Sequence, residues 1–112
     1  MKIYISGPIT GKPDENRPAF HSAALILGEK GHAPVIPHDL HPNAHETWEQ
    51  YLRKDIAEML ACDAVLMLDG WASSRGAYFE RDVARKVKIP IYHLTKRGEM
   101  VNESTGCATR WN

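Results

Sequence analysis

The chain alternates short apolar segments with longer segments of helical period. The apolar segments span residues 2–6, 33–37, 63–69 and 89–94, and each is bounded by glycine, proline or polar residues. Short runs of this kind predict buried β-strands. The segment DAVLMLD (63–69) has apolar residues at consecutive positions, which is typical of a parallel strand covered on both faces.

Three helices are predicted between these strands. Asn16 is a candidate N-cap for a first helix, which we expect to end near Gly31. Thr47 starts a second helix, where Gln50 completes a capping box three residues later. A third helix is expected over 76–87.

The order β-α-β-α-β-α-β predicts a parallel sheet with helices on both faces. We therefore predict an α/β fold of the Rossmann-like or flavodoxin-like kind, a three-layer sandwich with a mostly parallel sheet of four to five strands. The 112 residues suit a single domain. We place this domain at residues 1–95 and treat 96–112, which shows no clear period, as a C-terminal tail.

The composition argues against several functional classes. The 14 basic and 14 acidic residues cancel, whereas non-specific nucleic-acid binding requires a basic excess, so we predict no nucleic-acid partner. No apolar run has transmembrane length and no signal peptide is evident, so we expect no membrane association. Cys62 and Cys107 form no metal-type pair, which favours a reduced, cytoplasmic protein.

The loops after the first and third strands are the first candidates for a binding site, because ligands of parallel sheets bind outside the carboxyl ends of the strands. In the third loop, Ser74-Arg75-Gly76 precedes a helix. A hydroxyl, a guanidinium and backbone N–H groups at a helix start can hold a phosphate. The same residues are equally explained as a serine N-cap followed by an exposed arginine.

Three further residues are candidates for chemistry. Glu80 follows Ser74 by six residues, either as a first-turn acid that favours the helix dipole or as a reactive carboxylate. Asp55 is either a surface residue or, if it shares a cleft with Glu80, half of an acid and nucleophile pair suited to glycosidic chemistry. The hydroxyl of Tyr4, in a buried strand, bonds either a backbone carbonyl or a carboxylate that it orients.

Histidines are concentrated in the loop after the second strand. His38, His41 and His45 lie there with Asp39, at distances along the chain that could hold a metal. The spacing fits no metal motif and no cysteine supports it. We therefore predict no metal and no cofactor.

Four stretches together resemble the nucleoside 2-deoxyribosyltransferase-like superfamily. They are MKIYISGPITG, ENRPAF, YLRKDIAEMLACDAVLML and GWASSRGAYFE, and the resemblance covers residues 1 to about 95. It is strongest to small, often phage-borne members of unassigned function and to the branch that hydrolyses deoxyribonucleoside 5′-monophosphates.

The resemblance implies a catalytic role for three residues. Glu80, four residues after Gly76, matches the nucleophile that attacks C1′ of the sugar. Asp55, eight residues before Asp63, matches the acid that assists departure of the base. Tyr4, three residues before a glycine, matches the group that orients the glutamate.

The resemblance also implies a substrate and an assembly. Transferases of free nucleosides have aspartate at the position of Ser74, whereas the monophosphate hydrolases have serine, and an aspartate would repel a phosphate. The implied phosphate- and substrate-binding positions are Ser6, Gly7, Pro8, Ile9, Arg17, Ser74, Arg75 and Gly76. A homodimer or higher homo-oligomer is implied, in which the tail, including Trp111 and Asn112, either completes a neighbouring subunit's site or is a frayed terminus.

Three functions remain open from the sequence. The first is hydrolysis of the N-glycosidic bond of nucleoside 5′-monophosphates through a covalent glycosyl-glutamate. The second is exchange of bases on deoxyribose, which differs only in whether a second base outcompetes water. The third is a nucleotide-binding module without turnover, for which two carboxylates beside an anion site have no evident use.

Overall fold

The computed structural model of the protein describes residues 1–41 and 45–106. A five-stranded sheet forms its centre, in the order β2-β1-β3-β4-β5. The first four strands are parallel and β5 runs antiparallel to β4. The strands are β1 (Lys2–Ser6), β2 (Ala33–Val35), β3 (Ala64–Met67), β4 (Ile91–Leu94) and β5 (Met100–Asn102). This order is the flavodoxin-like one, and the predicted α/β sandwich is confirmed.

Three α-helices cover the sheet, α1 (Arg17–Glu29), α2 (Trp48–Leu60) and α3 (Arg75–Lys86). Helix α1 packs on one face, with Phe20, Ala23 and Leu27 in a cluster that includes Ile3 and Ile5 of β1. Helices α2 and α3 pack on the other face, where Met59, Ala77 and Ala84 join Tyr4 of β1. Short 3₁₀ turns at Pro13–Asn16, Pro37–Leu40 and Trp71–Ser73 follow the carboxyl ends of three strands.

The helix starts follow the predicted caps with one exception. Thr47 and Gln50 form the expected capping box at α2, and Ser74 Oγ accepts from the backbone N–H of Ala77 at α3. Asn16 occupies the N-cap position of α1, but its side chain makes no capping bond. Its amide donates instead to the carbonyl oxygen of Pro8 at 2.9 Å. The predicted capping hydrogen bond of Asn16 is therefore wrong, because its side chain binds the loop after β1 instead.

Strand β5 lies in the segment in which the sequence pattern located no element. Its Met100 is 2% exposed and packs in the cluster under α1. The division of the chain at residue 95 stays a prediction. Trp111 and Asn112, expected at a neighbour's site, lie outside the described residues, as does Cys107. Within the described part of the chain, no helix is long and apolar enough to cross a bilayer.

Candidate active site

A cavity of about 440 Å³ opens at the carboxyl end of the sheet, on the side covered by α2 and α3. Its walls are the loop after β1, the 3₁₀ turn after β2, the first two turns of α2 and the first two turns of α3. Glu80 and Asp55 both line it. The structure thus brings the two candidate carboxylates into one cleft.

Glu80 is held by two hydroxyl groups of β1. The Tyr4 hydroxyl donates to Glu80 Oε2 at 2.6 Å, and the Ser6 hydroxyl donates to Glu80 Oε1 at 2.7 Å. Glu80 is only 5% exposed, and Tyr4 and Ser6 are fully buried. Both oxygens therefore have a fixed orientation, as a reactive carboxylate requires.

Local geometry explains how these three side chains meet. Side chains alternate across a strand, so Tyr4 and Ser6 project from the same face of β1, opposite to Ile3 and Ile5. On α3, Glu80 lies three residues after Ala77 and four before Ala84, on the buried side of the helix. The small alanines bring α3 close to the sheet, so that Glu80 reaches β1.

Burial changes the acidity of this group of side chains. Desolvation raises the pKa of Glu80 to about 7, although the hydrogen bonds from Tyr4 and Ser6 act in the opposite direction. The nearby charge of Asp55 raises it further. Burial and the Glu80 charge hold the pKa of Tyr4 well above its usual range, so the phenol remains a proton donor. Near neutral pH, Glu80 can therefore exist in both its charged and its neutral form.

Asp55 projects from α2 into the same cavity and is paired with a histidine. Its Oδ1 lies 2.6 Å from Nε2 of His41, and burial raises its pKa while the contact with His41 lowers it. In the sequence, a metal site at His38, His41 and His45 was the less favoured alternative. The described residues contain no group of three or more metal-binding side chains placed to hold an ion. The contact with Asp55 joins residues 14 positions apart, across segments with no shared period.

The expected phosphate-binding residues divide into two groups. The cavity is lined by Gly7, Ile9, Arg17, Ser74 and Gly76, whereas Ser6, Pro8 and Arg75 are not among its lining residues in the part of the chain that the structure describes. The Ser6 hydroxyl is fully buried and donates to Glu80, so it is not placed to bind a phosphate as expected. The Arg75 guanidinium lies instead over the Trp48 ring, 4.0 Å from its centroid. That contact holds the Arg75 guanidinium against the first residue of α2.

Arg17 and Gly7 have further partners at the rim. The Arg17 guanidinium is 2.7 Å from Glu15 Oε1 and its side chain is 41% exposed, so the ion pair is a surface one of small energy. A Cβ at Gly7 would lie 2.9 Å from Leu68 Cβ, which explains why glycine follows β1. The glycine allows the loop after β1 to pass directly over the end of β3.

Sequence reasoning missed several residues that line the cavity. The indole of Trp48 and the ring of Tyr51, which stand in the apolar stripe of α2, form part of its wall, as do Thr10, His38 and Leu52. An apolar stripe predicts core packing, so the sequence offered no signal that its first turn faces a cavity.

Comparison with known proteins supports the fold and assigns the family. The solved structure of a 2-deoxyribosyltransferase from the psychrotolerant bacterium Bacillus psychrosaccharolyticus is similar, with a TM-score of 0.67 and 17% identity over 83% of this chain and 71% of that chain. Comparison with curated proteins gives no significant match. The model of a domain of unknown function, DUF4406, matches residues 1–93. The chain therefore belongs to the DUF4406 family.

Proposed function

We propose that the protein hydrolyses the N-glycosidic bond of (deoxy)ribonucleoside 5′-monophosphates, releasing the free base and (deoxy)ribose 5-phosphate. The observation that carries this proposal is the buried Glu80 carboxylate, fixed by Tyr4 and Ser6 at 2.6 and 2.7 Å in a cavity that also contains Asp55. Enzymes that cleave glycosidic bonds usually use two carboxyl groups with different surroundings.

In the first step, Glu80 acts as the nucleophile. One carboxylate oxygen forms a bond to C1′ while the bond from C1′ to the base nitrogen breaks, and that electron pair leaves with the base. Tyr4 and Ser6 hold the carboxylate in place, so little ordering remains to be done in the transition state. Asp55 protonates the departing base.

In the second step, water opens the glycosyl-glutamate. Asp55, now ionised, takes a proton from water, whose oxygen bonds to C1′ as the ester bond to Glu80 breaks. The site returns to its starting state, and the sum of the two steps is hydrolysis. No redox change is involved, and no cofactor is needed for this balance.

A phosphate is the part of the substrate best suited to the start of α3. The first turn of a helix has backbone N–H groups without intrahelical partners, and Ser74 Oγ satisfies the one on Ala77. Those of Arg75 and Gly76 remain for an anion. A Cβ at Gly76 would have Trp48 Nε1, 4.0 Å away, as its nearest neighbour, so a ligand can approach this backbone closely. Arg17 lines the same cavity and supplies a positive charge.

Base exchange is the second candidate. The structural likeness to a 2-deoxyribosyltransferase favours it, since transfer and hydrolysis share the covalent first step. They differ in whether a second base or water opens the intermediate. Incubating a deoxynucleotide with a second free base separates the two, because only transfer yields the new nucleotide.

The proposal is tested with a panel of ribo- and deoxyribonucleosides and their 5′-monophosphates, read by release of free base. We expect release from monophosphates, and a loss of about 10⁴-fold or more in the Glu80→Gln variant. Glu29→Gln is the matched control, because it makes the same change on an exposed face of α1. Wild-type turnover in Glu80→Gln would refute the nucleophile. Tight nucleotide binding without base release would instead identify a binding module.

A further inference from the structure

His41 is built into the wall of the cavity behind Asp55. Its side chain is 6% exposed and that of Asp55 is 12% exposed, with His41 Nε2 2.6 Å from Asp55 Oδ1. The His41 ring also packs on Tyr51 at a centroid distance of 4.2 Å. The imidazole therefore has a fixed position, with one nitrogen directed at the carboxyl group that faces the substrate.

The other nitrogen of His41 faces a second carboxyl group. Nδ1 lies 3.6 Å from Glu46 Oε2, and both atoms are buried without a hydrogen-bond partner among residues 1–41 and 45–106. The other oxygen of Glu46 is 2.6 Å from Lys54 Nζ. A neutral imidazole with its proton on Nε2 would place two bare acceptors opposite each other, which is unfavourable in a buried site. A proton on Nδ1 makes the 3.6 Å contact an ion pair with Glu46, so the arrangement suits an imidazolium between two carboxylates.

We propose that His41 stores the proton that Asp55 delivers to the departing base. His41 is thus a positioning residue that acts through Asp55 and does not touch the substrate. This inference rests on the proposed function for its catalytic part, whereas the shared proton between His41 and Asp55 can be tested without turnover.

The proton moves in two linked transfers. Before the reaction, His41 is an imidazolium and Asp55 is a carboxylate. As the bond from C1′ to the base nitrogen breaks, Asp55 Oδ1 takes the proton of His41 Nε2 and the Asp55 carboxyl group passes a proton to the base nitrogen, so that Asp55 is ionised again. His41 becomes neutral, and the base leaves with one added proton. When water opens the glycosyl-glutamate, its proton returns to the Asp55–His41 pair, so charge and protons balance over the cycle.

The charged groups around this pair favour proton storage. Glu46 and Asp55 flank the imidazole, and the Lys54 ammonium lies beyond Glu46 on the side away from the cavity. His38 and Tyr51 line the same wall. On the sheet side, Glu80 and Tyr4 form the separate hydrogen-bonded unit that provides the nucleophile. The site thus contains one carboxylate held for attack and another held next to a proton source.

The first test measures the titration of Asp55, with and without its contact to His41, in the absence of any reaction. Carbon-13 labelling of aspartate carboxyl groups allows the titration of Asp55 to be followed by NMR in the wild type and in His41→Gln. Since the contact with His41 lowers the pKa of Asp55, we expect the Asp55 midpoint to move to higher pH in the variant. His21→Gln, an exposed histidine of α1, is the matched control and should leave the midpoint unchanged. An unchanged midpoint in His41→Gln would overturn the pair.

The second test uses the leaving group. We compare an ordinary purine deoxynucleotide with its N7-methylated form, whose cationic base leaves without needing a proton. His41→Gln should lower kcat for the ordinary substrate by roughly 10²-fold, in the range of general-acid effects, and change the methylated one little. Equal losses on both substrates would overturn the proton-storage role. If the wild type cleaves neither substrate, the proposed function fails and the NMR titration alone decides the pair.

A second variant guards against misfolding of His41→Gln. Glu46→Gln keeps the imidazole and its contact with Asp55 but removes the second negative charge. We expect a smaller loss on the ordinary substrate than in His41→Gln, with the methylated substrate again little affected. A loss in Glu46→Gln on both substrates alike would count against proton storage.

Discussion

The two faces of the sheet are made from the same strands but contain different side chains. On the face under α1, β1 contributes Ile3 and Ile5 to a cluster of apolar residues. On the face under α2 and α3, the same strand contributes Tyr4 and Ser6, whose hydroxyl groups bond Glu80. One strand thus separates an apolar core from a buried polar site.

The two faces contribute differently to the free energy of folding. The apolar face gains free energy from burial, at about 25 cal/mol for each Å² removed from water. The polar face buries a carboxyl group whose ionised form is disfavoured, which is why the pKa of Glu80 is raised. We infer that substitutions of apolar residues under α1 change stability alone, whereas substitutions in the polar group around Glu80 also change activity and the response to pH.

The largest expected change in stability comes from the apolar face. Leu27, on α1, is fully buried in the apolar cluster. Leu27→Ala should lower the free energy of unfolding by about 2–5 kcal/mol, because it removes buried methyl groups and leaves a cavity. Base release per folded molecule should stay at the wild-type value. Denaturant unfolding and activity assays on the folded fraction measure both, and a large loss of activity without unfolding would contradict the separation of the faces.

On the opposite face, substitution of Glu80 should raise the free energy of unfolding. Glu80 is protonated in the folded protein up to about pH 7 but only to about 4.5 when unfolded, so stability falls as pH rises through this window. At about 1.4 kcal/mol for each pKa unit, the ionised carboxylate lowers stability by about 3 kcal/mol at pH 8. Glu80→Gln should therefore be more stable than the wild type at pH 8.

The measurement is denaturant unfolding of both proteins at pH 5 and pH 8. The advantage of Glu80→Gln should be much smaller at pH 5, where the folded wild type is largely protonated. Glu29→Gln, the exposed control, should show no gain at either pH. A Glu80→Gln protein less stable than the wild type at pH 8 would refute the link between burial of Glu80 and its raised pKa.

The smallest expected effects are shifts in the pKa of Glu80 after removal of either hydroxyl group that bonds it, that of Tyr4 or that of Ser6. Both hydrogen bonds lower its pKa, and that from Tyr4 contributes more than that from Ser6. In the proposed mechanism, attack requires ionised Glu80, so we expect base release to rise with pH through about 7 in the wild type. Tyr4→Phe should move this rise to higher pH by roughly one unit, as expected for loss of a hydrogen bond to a charged group.

Ser6→Ala should move the same rise by less. Rates of base release from pH 5 to pH 9 measure both shifts. The reverse order of the two variants, or a rise that moves to lower pH, would contradict the assigned roles of these hydroxyl groups.

Some features of the site follow from neighbouring residues alone. The apolar runs, the capping box at Thr47 and the serine at the start of α3 are local signals, and the structure contains each of them. Because side chains alternate along a strand, Tyr4 and Ser6 project from the same face of β1. A local signal is legible because the interacting atoms lie within a few residues of one another.

Contacts between distant segments depended on tertiary structure. Periodicity did not decide whether Glu80 is an ordinary acid of a helix or a reactive group. Only the resemblance to a known superfamily linked Glu80 to Tyr4, which is 76 positions away. Neither pattern nor resemblance indicated that Arg75 lies over Trp48 or that His41 contacts Asp55.

The sequence by itself therefore determined the order of the first four strands and the three α-helices, the layers of the sandwich and the loops that border the cavity, but not β5. Only the packing of α2 and α3 on the sheet decided which polar side chains meet. The physical reason is that periodicity specifies which side of an element is buried. The rotation and spacing of packed helices, set here by small residues such as Ala77 and Ala84, specify the partner.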